Sequence, residues 1–208
     1  MTDPLLREIE ENNLEWAKHL DPKVMSDLSL GQNPECLWIG CSDSRVSLSQ
    51  STGLGLGRMF VHRNIANMVI HTDSNLLSVV YFAVRVLKVE HIILCGHYNC
   101  GGIKAALSPR SYGFIDNWLT HIKDVYVMHE DELDAITDET QLQDRLAELN
   151  VQEQVANLGK ISFIQQHWES HQIPAIHGYV YDIRSGLLKN LNVTIRSNSD
   201  LRTIFHVY

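Results

Sequence analysis

The stretch CLWIGCSDSR (residues 36–45) carries a short apolar run directly into a cysteine, an aspartate and an arginine. Its length and unbroken apolar character predict a buried strand. A second such run, EHIILCG (90–96), leads into HYNC (97–100). Each strand therefore delivers side chains able to hold a metal at its carboxyl end. Between them, RMFVHRN (58–64) reads as a further strand, and DSNLLSVVYFAVRVLKV (73–89) as a mostly buried helix capped by Asp73 or Ser74. GGIKAAL (101–107) begins another helix, and residues 113–130 and 140–170 read as helical and polar-faced. AIHGYVYDI and LLKNLNVTI flank RSG (184–186), the pattern of a hairpin. At the start, Asp3 and Pro4 stand at the cap and first position of a helical segment.

Strands alternating with helices predict an α/β fold. We expect a mostly parallel β-sheet flanked by helices, with an edge hairpin and an N-terminal helical arm. The chain reads as one domain over 1–208, the arm spanning 1–30 and the core 31–208. In such sheets the ligand crevice lies beyond the carboxyl ends of the strands, where both clusters fall.

The totals narrow the choices. Of 208 residues, 44% are hydrophobic and 20% charged, which argues against wholesale disorder. A net charge of −8 argues against a duplex-binding surface, since such affinity rests on neutralising phosphates. The N-terminus has no basic and apolar leader pattern, and no run is long enough to span a bilayer. We therefore expect a cytoplasmic protein, or an organellar one after removal of a transit peptide, with no nucleic-acid or membrane partner. The cysteines (Cys36, Cys41, Cys95 and Cys100) read first as thiols.

Cys41, Asp43, His97 and Cys100 supply two sulfurs, a nitrogen and an oxygen, a donor set that zinc accepts in a tetrahedron. Residues i and i+2 of an extended segment share a side, so Cys41 and Asp43 can converge. A redox reading wants Cys-x-x-Cys, which is absent. A closed structural zinc site remains a competitor. Cys36 and Cys95 sit inside apolar strands and read as inert core thiols. GLGLG (53–57) precedes a strand and places Arg58 where a nucleotide loop needs its last glycine, so that reading fails. The other ten histidines, His91 and His177 among them, have no partner at ligand spacing and are expected in surface or core roles.

C-x-D-x-R followed about fifty residues later by H-x-x-C-G-G resembles the β-class carbonic anhydrases. The likeness runs from about Asn12 to Leu191, through LWIGCSDSRV, FVHRNIAN, HTDSN, HIILCGHYNCGGI and IHGYVYD. It implies one zinc per chain, homodimers or dimers of dimers, and reversible hydration of CO2 to bicarbonate. It also implies that Arg45 can take the Asp43 carboxylate off the metal, and that Gly101 borders the substrate. A regulated subset binds inhibitory bicarbonate at a Trp, an Arg and a Tyr, whose counterparts are Trp38, Arg63 and Tyr181. Segment 46–59 departs from the family pattern: its usual prolines are missing, and Arg58 replaces a common acidic residue. Two rival functions remain at this point: hydrolysis of another small heterocumulene such as COS or CS2, and a catalytically silent zinc-stabilised assembly protein.

Overall fold

The computed structural model describes residues 3–207; Met1, Thr2 and Tyr208 lie outside the described residues. The chain divides into two compact units, one ending at Asn33 and one starting at Pro34. The first unit holds α1 (Pro4–Lys18) and α2 (Pro22–Ser29). Both begin Asp-Pro: Asp3 accepts from the Leu5 N–H and Asp21 from the Lys23 N–H, while the proline needs no partner at the first helical position. The sequence reading marks the start of α1, and both helices fall within its helical arm over 1–30. Neither helix buries a residue, and Leu5, Leu6 and Ile9 are left exposed.

The second unit is built on a five-stranded sheet in the order β2–β1–β3–β4–β5. These are β1 (Cys36–Cys41), β2 (Met59–Asn64), β3 (His91–His97), β4 (Ala175–Asp182) and β5 (Leu187–Ile195). The first four are parallel, and β5 returns antiparallel to β4 as the expected hairpin. All six residues of β1 are buried, as befits a strand inside the sheet, which explains its unbroken apolar run.

Parallel neighbours need crossover segments. Between β1 and β2 lies α3 (Leu48–Thr52), which Gly53 ends in the left-handed region at φ 67°. Arg58 pairs with Glu35 through two short hydrogen bonds (2.6 and 2.7 Å), which accounts for a basic residue at this position. Between β2 and β3, α4 (Ser74–Tyr81) starts at Asp73, whose carboxylate accepts from the Asn75 and Leu76 N–H groups. It widens into a π-helical segment over Phe82–Leu87. Leu76, Val80, Ala83 and Val84 are fully buried, while Tyr81, Phe82 and Val86 stay exposed.

Between β3 and β4 come α5 (Gly101–Leu107), α6 (Asp116–Met128), α7 (Glu130–Leu133), α8 (Glu139–Gly159) and α9 (Ser162–His171). Here one expectation fails. Helix α8 is not polar-faced: Leu146, Leu149, Val151, Val155 and Leu158 are buried, and so are Asn150 and Gln154. The amides point inward because loop backbone needs them. Asn150 Nδ2 donates to the Ala66 carbonyl (3.0 Å), and Gln154 Oε1 accepts from the Val69 N–H (2.8 Å). The helix comes this close because the sheet offers glycines beneath it. A Cβ on Gly96 would stand 2.7 Å from Val151 Cγ2, and one on Gly178 would stand 3.0 Å from Val151 Cγ1. On the opposite face of the sheet, Trp38, Val46, Leu48 and Cys95 form a smaller apolar cluster.

Gly96→Ala should therefore lower stability by about 1–3 kcal/mol through overpacking, read as a shifted urea midpoint. Adding Val151→Ala should recover part of the loss. Unchanged stability of the single variant would contradict the close approach.

Candidate metal centre

Strand β1 ends on Cys41, β3 ends on His97, and Cys100 stands at the cap position of α5. Two adjacent parallel strands thus deliver their last residues to one place, and the turn after β3 adds the third. The donor atoms of Cys41, His97 and Cys100 lie within 4.8 Å of one another, and all three residues are buried. Among the described residues they are the one group of three such donors this close.

The donors fit zinc. Cys41 Sγ and Cys100 Sγ are 3.9 Å apart and form no disulfide. Two sulfurs on a tetrahedral zinc at about 2.3 Å each stand roughly 3.8 Å apart. His97 Nδ1 donates to the Tyr98 carbonyl (3.0 Å), so Nε2 carries the free lone pair. That Nε2 is buried and has no hydrogen-bond partner among the described residues. A buried, unpaired imidazole nitrogen beside two thiols is a donor set that suits a borderline-soft divalent cation such as zinc.

The electrostatics agree. Hydrogen bonding from Cys100 pulls the Cys41 thiol well down against the cost of burial, with help from His97 and the Ala66 N–H. The same pairing and burial push Cys100 up. The pairing so favours a thiolate at Cys41 over one at Cys100, and a divalent cation would favour both thiolates. Cys36 and Cys95 behave differently: burial raises both, Cys95 to about 12, which marks them as inert.

Ala66 N–H points at Cys41 Sγ (3.4 Å) because Ala66 and Asn67 adopt φ of 60° and 49°. Non-glycine residues rarely hold that conformation, and Asn150 of α8 fixes it by binding the Ala66 carbonyl. The sequence reading missed this support. Its signal was present as two amides four residues apart, Asn150 and Gln154, among apolar positions of one helix.

Asp43 stands beside the trio. Its Oδ1 accepts from Arg45 N (3.0 Å) and Nε (2.9 Å), and its Oδ2 accepts from Nη2 (2.7 Å). The guanidinium holds this carboxyl well below the usual carboxylate range. Arg45 Nη2 also donates to the Asn99 carbonyl (3.1 Å), tying the 43–45 segment to the turn between His97 and Cys100. Asp43 Oδ2 lies 3.9 Å from His97 Nε2. Cys41, Asp43, Ile65, Gly101, Ala105 and Tyr112 line a cleft of about 410 Å³ that opens beside the donors. A side chain on Gly101 would meet nothing within 4 Å, whereas a Cβ on Gly102 would stand 2.9 Å from Ile65 Cγ2.

Sheet register puts Trp38 of β1, Arg63 of β2 and Tyr181 of β4 on one face. Trp38 is buried, Tyr181 is half-buried, and both belong to the small cluster on that face. Arg63 Nε donates to the Cys41 carbonyl (2.8 Å), and Nη2 to the Asp43 (2.8 Å) and Val46 (2.9 Å) carbonyls.

Cys41→Ser and Cys100→Ser should each lose most of the metal, measured as zinc per chain after dialysis. Full occupancy in either variant would contradict the assignment.

The carbonic anhydrase family model matches residues 36–188. A carbonic anhydrase of Emericella nidulans is 48% identical over 188 residues, covering 89% of this chain and 82% of that protein. A structure from work on two tetrameric β-carbonic anhydrases of Sordaria macrospora superposes with a TM-score of 0.88 at 41% identity. That match covers 93% of this chain and all of the other. A Coccomyxa β-carbonic anhydrase, solved with acetazolamide, gives 0.88 at 34% identity over 99% of this chain and 95% of that one. With three buried zinc-type donors gathered at one end of the parallel sheet, the chain belongs to the β-class carbonic anhydrases, a family of zinc enzymes.

Proposed function

We propose that this chain hydrates CO2 reversibly to bicarbonate and a proton, with Cys41, His97 and Cys100 holding zinc, and that bicarbonate regulates it. The observation that carries the catalytic reading is the Asp43–Arg45 pair poised beside three buried donors. A purely structural metal site has no use for that arginine. When bound, zinc supplies Lewis acidity that makes water ionise near neutral pH. Arg45 engages the Asp43 carboxylate and leaves Oδ2 at 3.9 Å from His97 Nε2, beside the residues that would hold the zinc. There the carboxylate can accept a hydrogen bond and orient its donor. Ile65, Gly101 and Ala105 give CO2 an apolar wall, which suits a small molecule with no need of strong hydrogen bonds.

Two features support regulation. Trp38 Nε1 is a buried donor with no acceptor among the described residues, and a bicarbonate oxygen could accept from it. Arg63 stitches the carbonyls of Cys41, Asp43 and Val46 together around Asp43 and Arg45. A bicarbonate that drew the guanidinium away would loosen that segment and free the Asp43 carboxylate to move toward Cys41, His97 and Cys100, the residues that would hold the zinc. Such an effector shifts the balance only by its differential affinity for the two arrangements.

A homodimer or dimer of dimers is part of this reading. Leu5, Leu6 and Ile9 of α1, and Tyr81, Phe82 and Val86 on α4 and its extension, lie exposed as a partner contact would require. The chain's cysteines are all free, and ligating thiols must stay reduced, which supports a reducing compartment such as the cytoplasm. Among the described residues no helix is long and apolar enough to cross a membrane.

Stopped-flow CO2 hydration on zinc-quantified protein tests the catalytic reading. Arg45→Ala should keep the zinc and lose about 10²-fold or more in turnover. Zinc-loaded wild type without turnover would overturn the proposal. Arg63→Ala should keep the zinc and show weaker bicarbonate inhibition than wild type. Wild-type activity should fall in mild acid more steeply than a single proton allows. A one-proton profile, with bicarbonate acting only as competing product, would remove the regulatory part.

A further inference from the structure

His91 and His177 are 86 positions apart in the chain, yet adjacent strands bring their rings together. His91 opens β3, and His177 is the third residue of β4, where the register pairs it with Ile93. His91 Nδ1 and His177 Nε2 are 3.1 Å apart, and the ring centroids 5.2 Å. On the far side of the second ring, His177 Nδ1 lies 3.1 Å from Thr194 Oγ1 of β5. His177 is half-buried and His91 exposed.

We propose that His91 and His177 form a second metal site, one for a divalent late-transition cation such as zinc, at the opposite end of β3 from His97. Seven residues of strand separate the two centres by about 20 Å, so the pair is no part of the catalytic cleft. Two nitrogens on one tetrahedral ion, each at about 2.0–2.1 Å, stand roughly 3.3 Å apart, a few tenths of an ångström from the 3.1 Å spacing found here. With the His177 proton assigned to Nδ1, Thr194 Oγ1 accepts it, and Nε2 turns its lone pair toward His91. A hydrogen-bond acceptor behind the ring is the usual outer partner of a metal-binding imidazole. Without a cation His91 Nδ1–H can donate to the His177 Nε2 lone pair; with one bound, His91 would carry its proton on Nε2, where water reaches it, and so free Nδ1. Burial, then His91 and Arg196, lower the His177 pKa, which keeps that ring neutral and able to ligate near pH 7. Strand pairing fixes both Cα positions, so little order is lost on binding. Water completes the coordination at this exposed edge, and two neutral nitrogens bind more weakly than a pair of thiolates with an imidazole. The site should fill after the first equivalent.

The proposal is independent of the carbonic anhydrase reading, and its test reads binding, not turnover. Untagged protein already holding its first zinc is dialysed against micromolar Zn2+, and bound zinc per chain is counted. A second equivalent is expected. His91→Gln and His177→Gln should each abolish it, with the first equivalent and CO2 turnover unchanged, and Thr194→Val should weaken it about ten-fold. Histidine nitrogen shifts in NMR spectra should move at these two residues alone as the second equivalent binds. No second equivalent, or one that persists unaltered in both glutamine variants, would overturn the proposal.

Discussion

Two ionisable sulfurs held 3.9 Å apart and almost out of water cannot both carry charge unless a cation sits between them. Much of the core is arranged around that demand. The His97 ring is locked by the next carbonyl so that its lone pair faces the sulfurs. The Ala66 N–H is turned onto Cys41 at the cost of two left-handed non-glycine residues, about 1–3 kcal/mol each. Arg45 pairs with the Asp43 carboxylate beside the donors. A net charge of −8 says nothing of this, because the electrostatics that matter here act within a few ångströms.

The parallel sheet turns that demand into geometry. Neighbouring strands run the same way, so their last residues, Cys41 and His97, arrive together at one end, and Arg63 on β2 reaches round to the carbonyls just beyond β1. At the other end His91, the first residue of β3, lies on the same face as His177, two residues beyond its register partner Ala175 on β4, which is how the two rings meet. One strand, β3, serves both ends.

The sequence made some of this plain and hid the rest, for physical reasons. Buried parallel strands must be apolar throughout, so β1 and β3 stood out, and the donors at their ends followed. The hairpin showed through its turn residues. Helix α8 misled because an asparagine and a glutamine look like solvent-facing residues until the backbone they serve is known. Nothing in NIAN (64–67) announces a left-handed alanine, since the conformation is imposed by α8 and not by local preference. The histidine pair was invisible for a related reason: its spacing exists only in the register between strands.

Helix α8 lies flush on Gly96 and Gly178, with no slack between it and the sheet. From there Asn150 grips the Ala66 carbonyl, and Ala66 in turn touches Cys41. A missense change on the rear of this helix would thus surface as a metal-loading defect without altering any residue of the cleft. Genetic screens that score variants by their distance from the cleft would file such alleles as harmless.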